Sequence, residues 1–190
     1  MLQIKNILLL ISVICFSTLS WSQAYNPQSE LTVLSLQDAQ SLFLKIVEES
    51  EIPFDFPDGC HAKAQKISMI LEKEGVITGK AFVEGQIFNQ SKWGLSFWLF
   101  HVAPMVLVEI NQVKELYIVD PFLAKKILTY NEWLTLIEND PRTKIQKKYF
   151  SNRFVYNPSH LQQDPSSYVE SFIYDMDLRF KQIRKRISNK

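Results

Sequence analysis

The sequence predicts an α+β domain in which an antiparallel sheet packs against a helix that begins almost on a cysteine. Three observations predict it. Apolar residues recur at helical 3/4 spacing over 36–49 and again after Pro57. The pattern then changes to β-rich runs between Lys80 and Val119. Capping residues and turn residues separate these stretches where the periodicity changes.

Residues 1–22 read as a secretory signal. Lys5 supplies the positive start, Ile7–Phe16 is apolar except for Ser12, and Ser20-Trp21-Ser22 puts small residues before a cut at Gln23. Export to a periplasm or to the medium follows, with no stable membrane association after cleavage. Residues 23–190 then suit one domain with one core. The 190-residue chain has a net charge of +1, and removing Lys5 leaves equal numbers of basic and acidic residues. No electrostatic footprint for nucleic acid results. Of the two cysteines, Cys15 leaves with the signal and Cys60 remains alone. It cannot form an internal disulfide, and an unpaired thiol in an oxidising compartment is either buried or useful.

Residues 23–34 read as irregular. Ser35 caps a helix over 36–49 with Asp38 three residues on, and Leu36, Ala39, Leu42, Phe43, Ile46 and Val47 form its apolar stripe. Glu51–Pro57 holds two prolines and is a loop. The next helix is capped by Asp58, places Cys60 at its second position, and stops at Gly75, which suits a left-handed residue. Ala64, Ile67, Met69, Ile70 and Leu71 form its inner face; Lys63, Lys66, Glu72 and Lys73 its wet one. Strands follow at Lys80–Phe88, Leu95–Glu109 and Glu115–Val119, the last two joined by a turn at Asn111. Pro104 requires an irregularity or an edge. Thr129 and Glu132 form a capping box for a helix through Glu138, with Trp133, Leu134 and Ile137 inward. Tyr149–Tyr156 reads as a strand and 166–187 as a C-terminal helix with a basic, solvated end.

The chemistry lies in the order of three residues. Cys60 stands at a helix start, where unpaired N–H groups and the helix dipole favour a thiolate. Its own N–H is free to meet an oxyanion, and Gly59 permits close approach. His101 is flanked by apolar residues in "FWLFHVAPM", and Asp120 closes a strand in "LYIVDPFL". Each residue alone has a structural explanation. Together they fit a nucleophile, a base and an orienting carboxylate, as in papain-like and transglutaminase-like folds.

"DGCHAKAQKISMILEKEG", "FHVAPMVLVE" and "YIVDPFL" together resemble the secreted bacterial protein-glutaminases, over roughly Asp58–Leu123. The resemblance implies Cys60 as nucleophile, His101 as general base and Asp120 as its orienting partner, with Gly59 and Cys60 supporting the oxyanion. It implies deamidation of glutamine side chains in proteins or peptides. His61 stands where the family usually has tyrosine, and the family's disulfide cysteines are missing. Only Gln23–Pro57 precedes the motif, so the long inhibitory pro-segment of the family's best-known members has no counterpart.

A transglutaminase or cysteine peptidase with the same three residues is the alternative, because the acceptor depends on water access and pocket shape. A non-catalytic secreted binding module is the second. Trp98 and His61 are candidate substrate-pocket residues; Trp93, Phe97 and Phe100 either join Trp98 there or pack in the sheet. His61 reads as solvent-facing, since adjacent helix positions point in different directions, the alternative being that it tunes the thiol. No cofactor or metal is implied: one cysteine and histidines 61, 101 and 160 lack zinc-ligand spacing. A monomer is expected.

Overall fold

The computed structural model describes residues 25–49 and 51–189. The secretory-signal reading and Cys15 lie outside the described residues. The order of elements is α1 (Pro27–Glu30), β1 (Val33–Ser35), α2 (Leu36–Val47), α3 (Cys60–Lys73), β2 (Gly79–Ser91), β3 (Gly94–Ile110), β4 (Val113–Ile118), β5 (Leu128–Thr129), α4 (Tyr130–Ile137), β6 (Lys144–Asn152) and α5 (Glu170–Ser188), with a 3-10 turn at Pro158–Gln163.

A six-stranded sheet runs β5-β4-β3-β2-β6, and its neighbours along that path are antiparallel. β1 adds one short parallel pairing, Val33–Ser35 beside Leu107–Glu109. β3 is the central strand, and His101 through Val108 are all buried. The two faces of the sheet separate with the period of two that strands impose. Phe82, Val102, Val106 and Val108 face helices α2, α3 and α5. Ala81, Val83, Ala103 and Met105 face α4 through Trp133 and Ile137.

The turns explain the register. Asn111 and Gln112 both have positive φ, 51° and 66°, and connect the Ile110–Val113 pair; two such residues are what a tight right-twisted hairpin needs. Pro104 stands just beyond the last β3–β4 pair, Met105–Ile118. Its carbonyl accepts from Val119 N at 2.9 Å, so its missing N–H also faces the side where β4 ends. That is the expected edge position, and it leaves the stretch of β3 carrying His101 open on that side.

The helix starts differ in detail. Ser35 Oγ accepts from Asp38 N at 3.1 Å, and its hydroxyl donates to the Asp38 carboxylate at 2.7 Å. Thr129 and Glu132 form the reciprocal capping box, at 3.2 and 2.8 Å, an arrangement whose loss costs about 1 kcal/mol. Gly75 ends α3 with φ 78°. Several expectations are corrected. Part of the 23–34 stretch is regular, as α1 and β1. The last strand lies earlier, at Lys144–Asn152, because it pairs with β2 from Gly79 to Gln86. The final helix begins at Glu170 rather than 166.

α5 crosses back over the start of α3. Met176, Phe180 and Ile183 are buried there, and Arg184 donates to the Glu51 carbonyl at 2.8 Å. The basic end is thus partly used in docking. On the other side Lys80, fully buried, donates to Gln65 Oε1 and to the Val155 carbonyl, both at 2.6 Å. These contacts fix α3 against the sheet and aim its N-terminus at the open edge of β3.

Candidate active site

The N-cap of α3 is Gly59, not Asp58, and Cys60 is the first helical residue. Gly59 takes φ 76°, a left-handed conformation that favours glycine. A Cβ there would also lie 3.0 Å from Ile183 Cδ1 and 3.2 Å from Arg179 Cγ. The close approach that Gly59 permits is therefore that of α5. Asp58 Oδ1 accepts the Gly59 N–H at 2.7 Å, so that donor is already engaged. The Cys60 N–H belongs to the first turn, where amides have no intrahelical partner.

The structure brings Cys60, His101 and Asp120 together. Cys60 is partly exposed, and its Sγ is 3.9 Å from the carbonyl oxygen of Phe100, the residue before His101. His101 is buried, and its Nε2 is 2.7 Å from Asp120 Oδ2. Its other nitrogen, Nδ1, is buried and makes no hydrogen bond of regular geometry; the same ring interacts with the Cys60 sulfur. Two indoles stack on the imidazole. Trp98 stacks on it at 4.9 Å and Trp133 at 5.8 Å.

The electrostatics follow from this packing. Burial raises the Cys60 thiol, but hydrogen bonding and charge from His101 and His61 outweigh it and bring the pKa down to about 6. Burial lowers His101, yet the Asp120 carboxylate beside it raises it to about 9. Burial raises Asp120, while His101, Trp133 and Lys63 pull it below the usual carboxylate range. At neutral pH these directions give a thiolate beside an imidazolium.

Two contributors were not legible as site residues. Trp133 Nε1 donates to Asp120 Oδ2 at 2.9 Å. Its inward helix position was readable, and an indole N–H that is buried needs a partner, but the partner lies on another element. Lys63, expected on the wet face, is buried. Its Nζ donates to the carbonyls of Phe56 and Phe54 and lies 5.0 Å over the Phe122 ring. Burial lowers its pKa to about 8, against the attraction of Cys60 and Asp120.

Trp98 lines the pocket at Cys60 and His101, with Pro57, Lys63 and Phe122, and its Nε1 is anchored on the Pro57 carbonyl at 2.7 Å. Trp93 and Phe97 are elsewhere: Trp93 packs on Phe56 and donates to the Asp55 carbonyl, and Phe97 packs on Phe88. His61 is not solvent-facing. Its side chain is 16% exposed, and it lines a separate groove with Leu99, Phe100, Tyr156 and Asp175. Among the described residues, no group of three or more His, Cys, Asp or Glu is placed to hold a metal ion.

Comparison with known proteins agrees with this architecture. The protein-glutaminase of Chryseobacterium proteolyticum, solved by NMR, is similar with a TM-score of 0.68 and 25% identity over 78% of this chain and 87% of that one. A crystal structure of protein-glutaminase gives the same score and identity over 80% and 88%. A crystal structure of pro-protein-glutaminase is similar at 0.62, with 27% identity over 68% of this chain and 52% of that one. No curated protein sequence matches. The family model described as glutaminase matches residues 39–137, about half of the chain and the part that carries Cys60, His101 and Asp120, and the chain belongs to that glutaminase family.

Proposed function

We propose that this protein is an exported enzyme that deamidates glutamine side chains of proteins or peptides, releasing ammonia. The observation that carries the reading is the His101–Asp120 contact of 2.7 Å beside a thiol whose pKa is drawn down to about 6. The similar solved proteins are protein-glutaminases, which supports a protein-borne glutamine as substrate. The apolar start of the sequence supports export. No helix among the described residues is long and apolar enough to cross a membrane.

In the proposed reaction the Cys60 thiolate attacks the γ-carboxamide carbon. Negative charge moves to the carboxamide oxygen and is met by the Cys60 N–H. The His101 imidazolium gives its proton to the nitrogen, the C–N bond breaks, and ammonia leaves a γ-glutamyl thioester. His101, now neutral, takes a proton from water as that water attacks the thioester carbon. The C–S bond breaks, and glutamate, thiolate and imidazolium are restored. Asp120 holds the ring and its charge throughout, and Trp133 holds Asp120. Trp98 and Phe122 wall the pocket that takes the side chain.

The test is ammonia release from a glutamine-rich protein, with and without a primary amine. Ammonia with glutamate formation in both supports hydrolysis. Quantitative diversion to the amine adduct points to transfer instead, and cleavage of the backbone points to a peptidase.

A further inference from the structure

One wall of the pocket at Cys60 is irregular chain that other elements hold in place. Residues 51–59 form neither helix nor strand, and Pro53 and Pro57 have no N–H to donate. Four successive carbonyls of this segment accept from side chains. Those of Phe54 and Phe56 accept from Lys63 Nζ, the first at 3.5 Å. That of Asp55 accepts from Trp93 Nε1 at 2.9 Å, and that of Pro57 from Trp98 Nε1 at 2.7 Å. Of these donors Lys63 alone stands on α3, three residues after Cys60 and so on the same side of the helix. Its ammonium also lies 5.0 Å over the Phe122 ring. Phe122 meets Trp98 edge-on at 5.6 Å, and Trp98 stacks on His101. Lys63, Phe122, Trp98 and Pro57 all line the pocket, and these contacts join them one to the next.

We propose that Lys63 is a positioning residue: it ties the 54–57 wall and Phe122 to the helix that presents Cys60, and so sets the spacing of the pocket that takes the glutamine side chain. The inference rests on the reading of that pocket as the substrate site. Its logic is hydrogen-bond satisfaction at both ends. A lysine as buried as Lys63, 6% exposed, needs partners for its three donors. Two carbonyls and an aromatic face supply them, and they come from two separate segments of chain. The carbonyls lie outside any helix or sheet ladder, so the place of the segment depends on the side chains that reach it.

The test is Lys63→Met in the full chain, which keeps an unbranched side chain and removes the donors. It is read by backbone amide exchange and by steady-state kinetics on a short glutamine peptide. Exchange should quicken by about tenfold or more in 51–58, and by less than about twofold in β2, β3 and β4. KM should rise by about three- to tenfold, the effect of about one net hydrogen bond, while kcat stays within about threefold. Lys63→Gln, whose shorter amide reaches at most one of the carbonyls, should act in the same direction by less, and it carries the test alone if Lys63→Met does not fold. Unchanged exchange in 51–58 overturns the proposal, as does an unchanged KM or an equal quickening through the whole chain. A loosened 51–58 segment in a protein whose wild type releases no ammonia leaves the hold of Lys63 on the wall standing and overturns the deamidase reading.

Discussion

His101 Nε2 and Asp120 Oδ2 are 2.7 Å apart, and both groups are buried. The pair is joined across two strands of unequal length. β4 ends at Ile118, and the stretch of β3 before Met105 pairs only with β2, so the carboxylate that follows β4 turns toward the ring on the side of β3 that β4 leaves open. Asp120→Asn should keep the indole contact and lose the charge. We expect kcat to fall by about a hundredfold or more, as for an orienting carboxylate elsewhere, with the cooperative unfolding transition retained. Steady-state kinetics beside a urea titration checks this; equal activity in a folded variant would remove Asp120 from the chemistry.

In the proposed reaction the reactive form needs the thiolate and the imidazolium together. Below about 6 the sulfur takes a proton, and above about 9 His101 loses one. The dependence of kcat/KM on pH should rise through the first value, stay level, and fall through the second. The two values belong to the coupled pair. In the level region the folded state has moved one proton from sulfur to nitrogen relative to the unfolded chain. The thiol's lowered pKa makes stability rise with pH there, and the histidine's raised pKa makes it fall, so the pair adds almost no slope. Asp120→Asn should draw the upper limb toward neutral pH, because the charge that raises His101 is gone.

Trp133→Phe separates the stacking of that ring from its hydrogen bond. The ring face on His101 remains, and the N–H to Asp120 at 2.9 Å is lost. One unmet acceptor bond costs about 1–3 kcal/mol, so kcat should fall by about five- to 150-fold. KM should change little, because Trp133 does not line the pocket. A change confined to KM would instead give Trp133 a substrate contact.

Gly59→Ala tests the turn that presents Cys60. The left-handed φ of 76° and the 3.0 Å approach of Ile183 both oppose a methyl group. The strain should cost about 1–2 kcal/mol from the backbone alone, and more if α5 cannot shift. The expected result is a lower Tm with slower alkylation of Cys60. An unchanged Tm would show that this turn relaxes freely.

Much of this was legible in the sequence. Thr129 and Glu132 announced their helix because both halves of a capping box lie within four residues. Asn111 announced its hairpin, because the turn's demands are local. Cys60, His101 and Asp120 stood out as residue types that need a reason where they are. The misses share one physical cause, which is contact between distant elements. Lys63 looks wet by composition, but the carbonyls of Phe54 and Phe56, the ring of Phe122 and the attraction of Cys60 and Asp120 make its burial tolerable. His61 looks exposed by helical geometry, and α5 covers it from more than a hundred residues away. Asp58 looked like the cap, but its carboxylate bonds the adjacent Gly59 amide, which moves the helix start by one residue.

The most direct measurement of the central claim is the intact mass of a glutamine-rich protein incubated with wild type or with Cys60→Ala. Wild type should give a stepwise gain of about one dalton per glutamine hydrolysed through the cysteine, and the variant none. An unchanged mass with folded, alkylatable wild type would contradict it, as would an equal gain with Cys60→Ala.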